Sequence, residues 1–289
     1  MSKKNIGWAF YKDYFSQKDQ PGETPAIEEK LTSKEGGFSD KIVDTKKLKG
    51  AFDLVEKNKS LEKLELNNYR TTVEALHERF RLTADVWFSV QTNGRGFLSG
   101  IGNSHELGLE EEYSLGFHFD HTSGLPMVPG SSLKGALRSA FSRKVLPAMM
   151  NFCGFPQVEP ADVSLLEAYL FDGQWAGKNL PSAEQMHFIG GAPEFWCGSL
   201  LERDTITPHT RGKLPKPTPL PFLKIPAGVT FKFYFSIPKR WKPEVPSSKV
   251  LLLFLLCIHR FGLGAKTNYD FGRFGISTES IFFKNGSKS

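Results

Sequence analysis

Gly124-Leu-Pro-Met-Val-Pro-Gly-Ser-Ser-Leu-Lys-Gly-Ala-Leu-Arg138 is a tight turn that feeds straight into a helix, and the elements on either side of it decide the fold. Pro129-Gly130 closes the turn, Ser131 or Ser132 is the expected N-cap, and Leu133, Leu137 and Phe141 share one face of a helix predicted over residues 131–149. Upstream, residues 82–90 are rich in β-branched and aromatic side chains and read as a strand. A flexible basic loop, Thr92-Asn93-Gly94-Arg95-Gly96, follows it. Downstream come a short helix at residues 162–170 ending at Gly173, and a stretch of hairpin character at residues 187–196 around Gly190-Gly191. Residues 229–237 alternate, with Phe231, Phe233, Phe235 and Ile237 pointing inward, and residues 247–261 are apolar enough for a buried helix. A glycine-rich loop then hands over to a last strand at residues 274–283. The order β-α-β-β-α-β predicts an α+β fold of the ferredoxin-like or RRM-like kind, a sheet with two helices on one face.

The domain reading places an N-terminal arm and helix at residues 1–80, a ferredoxin-like domain at 81–284 with long insertions at 92–130 and 198–228, and a tail at 285–289. The first 60 residues mix Lys, Glu, Gly and Pro with Trp8, Phe10, Tyr11, Tyr14 and Phe15, which suggests an arm that docks on something else. Helical spacing of Leu61, Leu64, Tyr69, Val73, Leu76 and Phe80 predicts a helix packing on the core. Residues 205–226 hold six prolines and are expected to form an extended surface excursion without regular structure.

With 289 residues, 39% of them hydrophobic, the chain can bury a sizeable core. A formal charge of +6 leans towards polyanionic partners, though basic proteins without nucleic acid are common. Cys153, Cys197 and Cys257 have no CxxC spacing, which argues against a zinc knuckle or a disulfide framework. Clustered carboxylates for metal hydrolysis are lacking too, so neither metal nor cofactor is expected. The first ten residues carry no apolar h-region and the longest apolar run, residues 250–258, is too short to span a bilayer. No membrane partner and a cytoplasmic location are therefore expected.

Two motifs carry chemistry. At the helix start, free backbone amides attract an anion, and Lys134 and Arg138 at i and i+4 put two cations on one face near that positive end. Spacing alone also fits an ordinary capped helix with two solvated cations. The second motif is Arg260-Phe-Gly-Leu-Gly-Ala-Lys-Thr-Asn-Tyr-Asp-Phe-Gly-Arg-Phe-Gly275. Glycines remove side-chain bulk that would hold a ligand away, while interleaved basic and aromatic residues suit phosphates and splayed bases. A helix C-cap followed by a turn would leave the same trace.

Pro129-Gly-Ser-Ser-Leu-Lys-Gly-Ala-Leu-Arg138 resembles the helix-start motif of RAMP proteins, and Gly262-Leu-Gly-Ala-Lys-Thr-Asn-Tyr-Asp-Phe-Gly-Arg273 resembles their glycine-rich loop. Leu98-Ser-Gly-Ile-Gly-Asn-Ser-His105 with Gly124-Leu-Pro126, and Asp204-Thr-Ile-Thr-Pro-His209 with Pro221-Phe-Leu223 and Gly228, are similar to segments of the sixth subunit family of the CRISPR type III-B Cmr complex. The resemblance spans residues 82–283 and departs at Phe195-Trp-Cys-Gly198, where many RAMPs carry an aspartate-alanine pair. It implies a non-catalytic backbone subunit that grips CRISPR guide RNA near its 3′ end and supports target RNA binding. Other Cmr subunits, neighbouring RAMP backbone subunits and a small helical subunit, would be its partners. The expected RNA contacts are Ser131, Ser132, Lys134, Arg138, Gly262, Gly264, Lys266, Thr267 and Arg273, with Arg95, Asn103, His105 and His209 beside them.

Two other classes compete. Some RAMPs cut RNA without metal, and His105, His118, His121 and His209 could serve as acid or base with Asp120 assisting a 2′-hydroxyl attack. No spacing places two of these groups on one phosphate. A free-standing RRM-like RNA binder draws on Phe271-Gly-Arg-Phe-Gly-Ile276, which echoes an RNP-type strand.

Overall fold

The computed structural model describes residues 5–14, 54–100, 102, 111–113, 117–155, 159–206, 220–238 and 240–283. Two helices, α1 (Leu54–Leu61) and α2 (Leu66–Thr83), lead into β1 (Val86–Asn93). After the first insertion come α3 (Gly130–Phe141), α4 (Leu146–Phe152), α5 (Pro160–Glu167) and β2 (His187–Phe195). A side hairpin of β3 (Glu202–Ile206) and β4 (Leu220–Lys224) precedes β5 (Thr230–Ser236), α6 (Ser247–Phe261) and β6 (Arg273–Phe283). Without its insertions this is β1-α3-β2-β5-α6-β6, the expected α+β order.

Strands β2, β5, β1 and β6 pair antiparallel in that spatial order, and the two-residue strand Val128–Pro129 adds to the outside of β2. Helices α3 and α6 lie on one face. On that side Phe88, Phe233 and Phe235 pack ring to ring, with Phe88 5.9 Å from Phe233 and Phe235 5.7 Å from Phe254 of α6. Seven of the nine residues of α6 from Val250 to Ile258 are buried, and Gly262, at φ 78°, ends the helix by donating its amide to the Ile258 carbonyl. Burying a phenylalanine contributes roughly 1.5–3 kcal/mol, so this aromatic layer is a principal source of stability.

The opposite face is also covered, which the alternation in residues 229–237 does not disclose. Lys232 and Tyr234, interleaved with the phenylalanines, are buried, whereas Ile237 lies beyond the strand and is only half-buried. Helix α2 supplies the cover. His77 joins its Nδ1 to the Tyr234 hydroxyl at 2.8 Å and its Nε2 to the Pro193 carbonyl at 3.0 Å, and Phe80 packs 5.1 Å from the Tyr234 ring. Lys232 pairs with Glu194.

Several expectations are corrected. The helix expected over residues 131–149 ends at Phe141, and α4 restarts at Leu146 because Pro147 is tolerated only in a first turn. The predicted helix across residues 60–80 is split at 62–65, where Leu64 accepts from the Trp196 indole at 2.8 Å and from the Leu200 amide at 2.9 Å. Residues 82–83, read as strand, still belong to α2. Gly190-Gly191 makes no hairpin: β2 is one strand with a bulge there, and a Cβ at Gly191 would lie 2.3 Å from the Phe233 ring. The proline-rich stretch is partly regular, since Thr205 pairs with Pro221 in the two-stranded β3–β4 sheet, where each strand is an edge that tolerates proline. Residues 207–219 lie outside the described residues.

The arm, for its described residues 5–14, docks on this chain itself. Ile6, Phe10 and Tyr14 are buried in the main core. The Tyr14 hydroxyl donates to Asn58 Oδ1 at 2.8 Å and accepts from the Tyr113 amide at 2.9 Å, so the arm, α1 and the first insertion share one buried polar knot.

Candidate nucleic-acid interface

Helix α3 starts differently from the expectation. Pro129 occupies the N-cap, Gly130 the first helical position, and no side chain caps the turn, so Ser131 and Ser132 lie inside it. A Cβ on Gly130 would lie 1.8 Å from the Phe188 carbonyl oxygen, which explains the glycine next to β2. With no acidic residue in its first turn, the positive end of α3 has no carboxylate to balance it.

The glycine-rich loop, residues 262–272, folds back on residues 94–100. Ala265 donates to the Leu98 carbonyl at 2.8 Å, Gly272 to Gly96 at 2.7 Å, and Arg95 to the Asp270 carbonyl at 3.0 Å. Gly264, at φ 86°, would place a Cβ 2.4 Å from the Leu98 oxygen, and Gly272 one 1.9 Å from the Leu263 oxygen. Gly264 lets two loops of the same chain touch, and Gly262 and Gly272 let the glycine-rich loop close on itself. Gly262 and Gly264, expected as RNA contacts, thus also serve contacts within this chain.

Where the two motifs meet, a crevice of about 340 Å³ opens. Ser132, Gly135 and Ala136 of α3 form one wall, Leu263, Gly264 and Ala265 the other, and Phe97, Ser99, Gly100 and Val128 complete it. No carboxylate is among the lining residues. Gly135 differs from the other two crevice glycines: a Cβ there would meet nothing within 4 Å, whereas one on Gly100 would lie 2.4 Å from the Ala265 Cβ and one on Gly264 2.4 Å from the Leu98 oxygen. Neither Gly135 nor Gly100, whose Cβ would meet Ala265, is marked by the sequence motifs, although a glycine inside a helical pattern is itself an anomalous signal.

The expected cations separate into two groups. Lys134 and Lys266 make no ion pair among the described residues. Lys266 sits at φ 55°, left-handed for a residue with a side chain. Arg138 instead reaches across to α5 and beyond, holding Asp172 through both terminal nitrogens at 2.7 and 2.9 Å and Glu167 at 3.1 Å. Those hydrogen bonds raise the Arg138 pKa above its usual value. Arg273 braces the loop, donating to the Arg260 and Thr267 carbonyls, each at 3.1 Å. Arg95 lies 4.6 Å over the Phe271 ring and 3.1 Å from Asp204, tying the β3–β4 hairpin to the glycine-rich loop. Phe222 completes that joint 6.0 Å from Phe271. Asn103, His105 and His209 lie outside the described residues.

Of the candidate acid–base groups, Asp120 is engaged by its neighbours, and His105 and His209 lie outside the described residues. Asp120 accepts from the Ser123 amide at 2.7 Å and pairs with Arg79 at 2.6 Å. Burial alone would raise its pKa, but the Ser123 bonds and the Arg79 guanidinium overcome this and hold it below the ordinary carboxylate range. Burial lowers the pKa of His118, and neighbouring His121 adds to the effect. Among the described residues no group of three or more His, Cys, Asp or Glu could hold a metal, and no helix is long and apolar enough to cross a membrane.

The family model of the RAMP superfamily matches residues 82–183. Among solved structures, the chain is similar to a chain of the cryo-EM structure of the type III-B Cmr-beta bound to cognate target RNA. They share 22% identity with a TM-score of 0.53, over 80% of this chain and 74% of that one. The crystal structure of Cmr6 from Pyrococcus furiosus aligns with 67% of this chain and 99% of its own, at 18% identity and a TM-score of 0.35. No curated protein matches the chain.

Proposed function

We propose that this chain, whose residues 82–183 match the family model of the RAMP superfamily, is a non-catalytic, RNA-gripping subunit of a type III-B Cmr effector complex, of the sixth subunit family. The observation that carries the reading is the convergence of the α3 start and the glycine-rich loop on one crevice whose described lining holds no carboxylate, with Lys134 and Lys266 next in sequence to the lining residues Gly135 and Ala265. Backbone amides at a helix start without a side-chain cap, and two ammonium groups without an ion pair among the described residues, suit phosphates, which are common to every RNA sequence. Guide pairing would then read the target while this protein tracks the backbone. The solved likeness is to a chain in a type III-B Cmr-beta structure bound to cognate target RNA, which supports target RNA and other Cmr subunits as partners.

The non-catalytic part rests on the engagement of Asp120. Asp120 is committed to Arg79 and to its own turn, and a general base must reach the proton it removes. Against the RRM reading, helix α2 lies on the sheet face that an RRM leaves open for bases, burying Tyr234 beneath His77 and Phe80.

Purification of the protein from its native host, with sequencing of co-purifying RNA and identification of co-purifying proteins, tests the assignment. Recovery of CRISPR guides with other Cmr subunits is expected; unrelated RNA or none would reject it. In the purified complex, Lys134→Ala and Lys266→Ala should each weaken RNA binding independently of sequence and flatten its logarithmic salt slope by about 0.7. Metal-free cleavage of labelled repeat RNA that is lost in Asp120→Ala or His121→Ala would overturn the non-catalytic claim.

A further inference from the structure

We propose that Tyr269 is a base-stacking platform at the rim of the crevice, so that the site takes single-stranded RNA with one base turned out of its stack as well as a phosphate backbone. The inference rests on the RNA-binding reading above and adds a residue and a ligand conformation to it. The Tyr269 side chain is 69% exposed, and among the described residues its hydroxyl has no hydrogen-bond partner and its ring no aromatic neighbour. Most of the large aromatic side chains of this chain are buried, so a bare ring beside a candidate ligand site is unusual for it.

The backbone beneath this ring is held firmly. Tyr269 ends a single 3-10 turn, Thr267–Tyr269, bracketed by Lys266 at φ 55° and Asp270 at φ 67°. Neither is glycine, and left-handed backbone in such residues persists only where the surroundings enforce it. The enforcing contacts are present. The Tyr269 amide donates to the Lys266 carbonyl at 2.8 Å, Arg273 donates to the Thr267 carbonyl at 3.1 Å, and the Arg95 amide donates to the Asp270 carbonyl at 3.0 Å. A rigid turn that presents an unpartnered ring has prepaid the ordering cost of a stacking contact.

Ala265 lines the crevice and Lys266 follows it, and Tyr269, ending the turn that Lys266 opens, is three residues from Lys266 and four from Ala265. An aromatic face next to an ammonium group and a narrow, small-residue cleft suits a nucleotide: base on the ring, phosphate at the lysine, sugar-phosphate chain along the cleft.

The test compares binding of a labelled single-stranded RNA and an abasic oligonucleotide of the same length by the purified complex. Tyr269→Ala should weaken binding of the normal RNA by about 5- to 150-fold, the range of base–aromatic stacking, and leave the abasic strand and the salt slope nearly unchanged. Tyr269→Phe keeps the ring and should bind as wild type. Equal weakening on both strands, or no weakening, would overturn the stacking role. If Lys134→Ala and Lys266→Ala weaken binding while Tyr269→Ala does not, the crevice reading stands and the stacking inference alone fails. If none of the three matters, both fall. An unchanged melting temperature for Tyr269→Ala is expected of so exposed a side chain and separates lost contact from lost fold.

Discussion

Gly135 allows stability and binding to be set against each other. It occupies the sixth position of the twelve-residue helix α3, and a Cβ added there would meet nothing within 4 Å. A glycine inside a helix is less favourable than alanine by about 0.8–1.0 kcal/mol, and at this position no packing returns that cost. Gly135→Ala should therefore stabilise the protein by up to about 1 kcal/mol, which for a chain of this size raises the melting temperature by roughly 2 °C. The same position lines the crevice. Gly135→Leu, also a good helix former, should keep the wild-type melting temperature or exceed it yet weaken RNA binding at least about 10-fold by filling the cleft, a loss worth about 1.4 kcal/mol. Thermal unfolding followed by circular dichroism and RNA binding by fluorescence anisotropy would read both quantities on the same variants. The reasoning fails if Gly135→Ala is destabilising, since something must then pack where the geometry shows open space. It fails equally if Gly135→Leu binds RNA as wild type.

Two further outcomes separate structural roles from binding roles. Arg138→Ala should leave the salt slope of RNA binding unchanged while costing no more than about 1 kcal/mol of stability, because its guanidinium is spent on exposed bonds to Asp172 and Glu167; a flattened slope in a binding titration would return it to the RNA contacts. Burial lowers the pKa of His77 below 6.5, with both ring nitrogens engaged by Tyr234 and Pro193. The unfolded chain therefore takes up the proton first, and the stability present above about pH 6.5 should decline as pH falls below it. Urea unfolding at stepped pH values checks this, and a pH profile identical in His77→Gln would remove His77 as the cause.

Local patterns carried much of the architecture. Residues 247–261 were legible as a helix to the residue, because apolar spacing, a preceding proline and a following glycine all agree there. The strand order followed from element order, and the two motifs that meet at the crevice stand out by their glycines and cations. Long-range matters were hidden. Arg138 at i+4 from Lys134 looks like its twin, and only the fold brings up Asp172, thirty-four residues on. The second buried face of β5 depends on α2, whose own pattern names no partner, and the arm's aromatic residues announced burial without saying where. Some errors had visible signals: Pro147 should have ended the helix predicted over residues 131–149, and a proline is admissible in a strand that has a free edge.

The cover that α2 lays over the sheet sets the smallest piece of this chain able to fold by itself. The matched family segment begins at residue 82, yet a fragment cut there would lose His77 and Phe80 and leave the Tyr234 hydroxyl and the Pro193 carbonyl without their partners. It would also lose Leu64, whose carbonyl receives the Trp196 indole. The boundary that evolution draws around a recognisable motif and the boundary that cooperative folding requires thus differ by at least the length of one helix. Any dissection of this protein into autonomous parts has to begin upstream of Leu64.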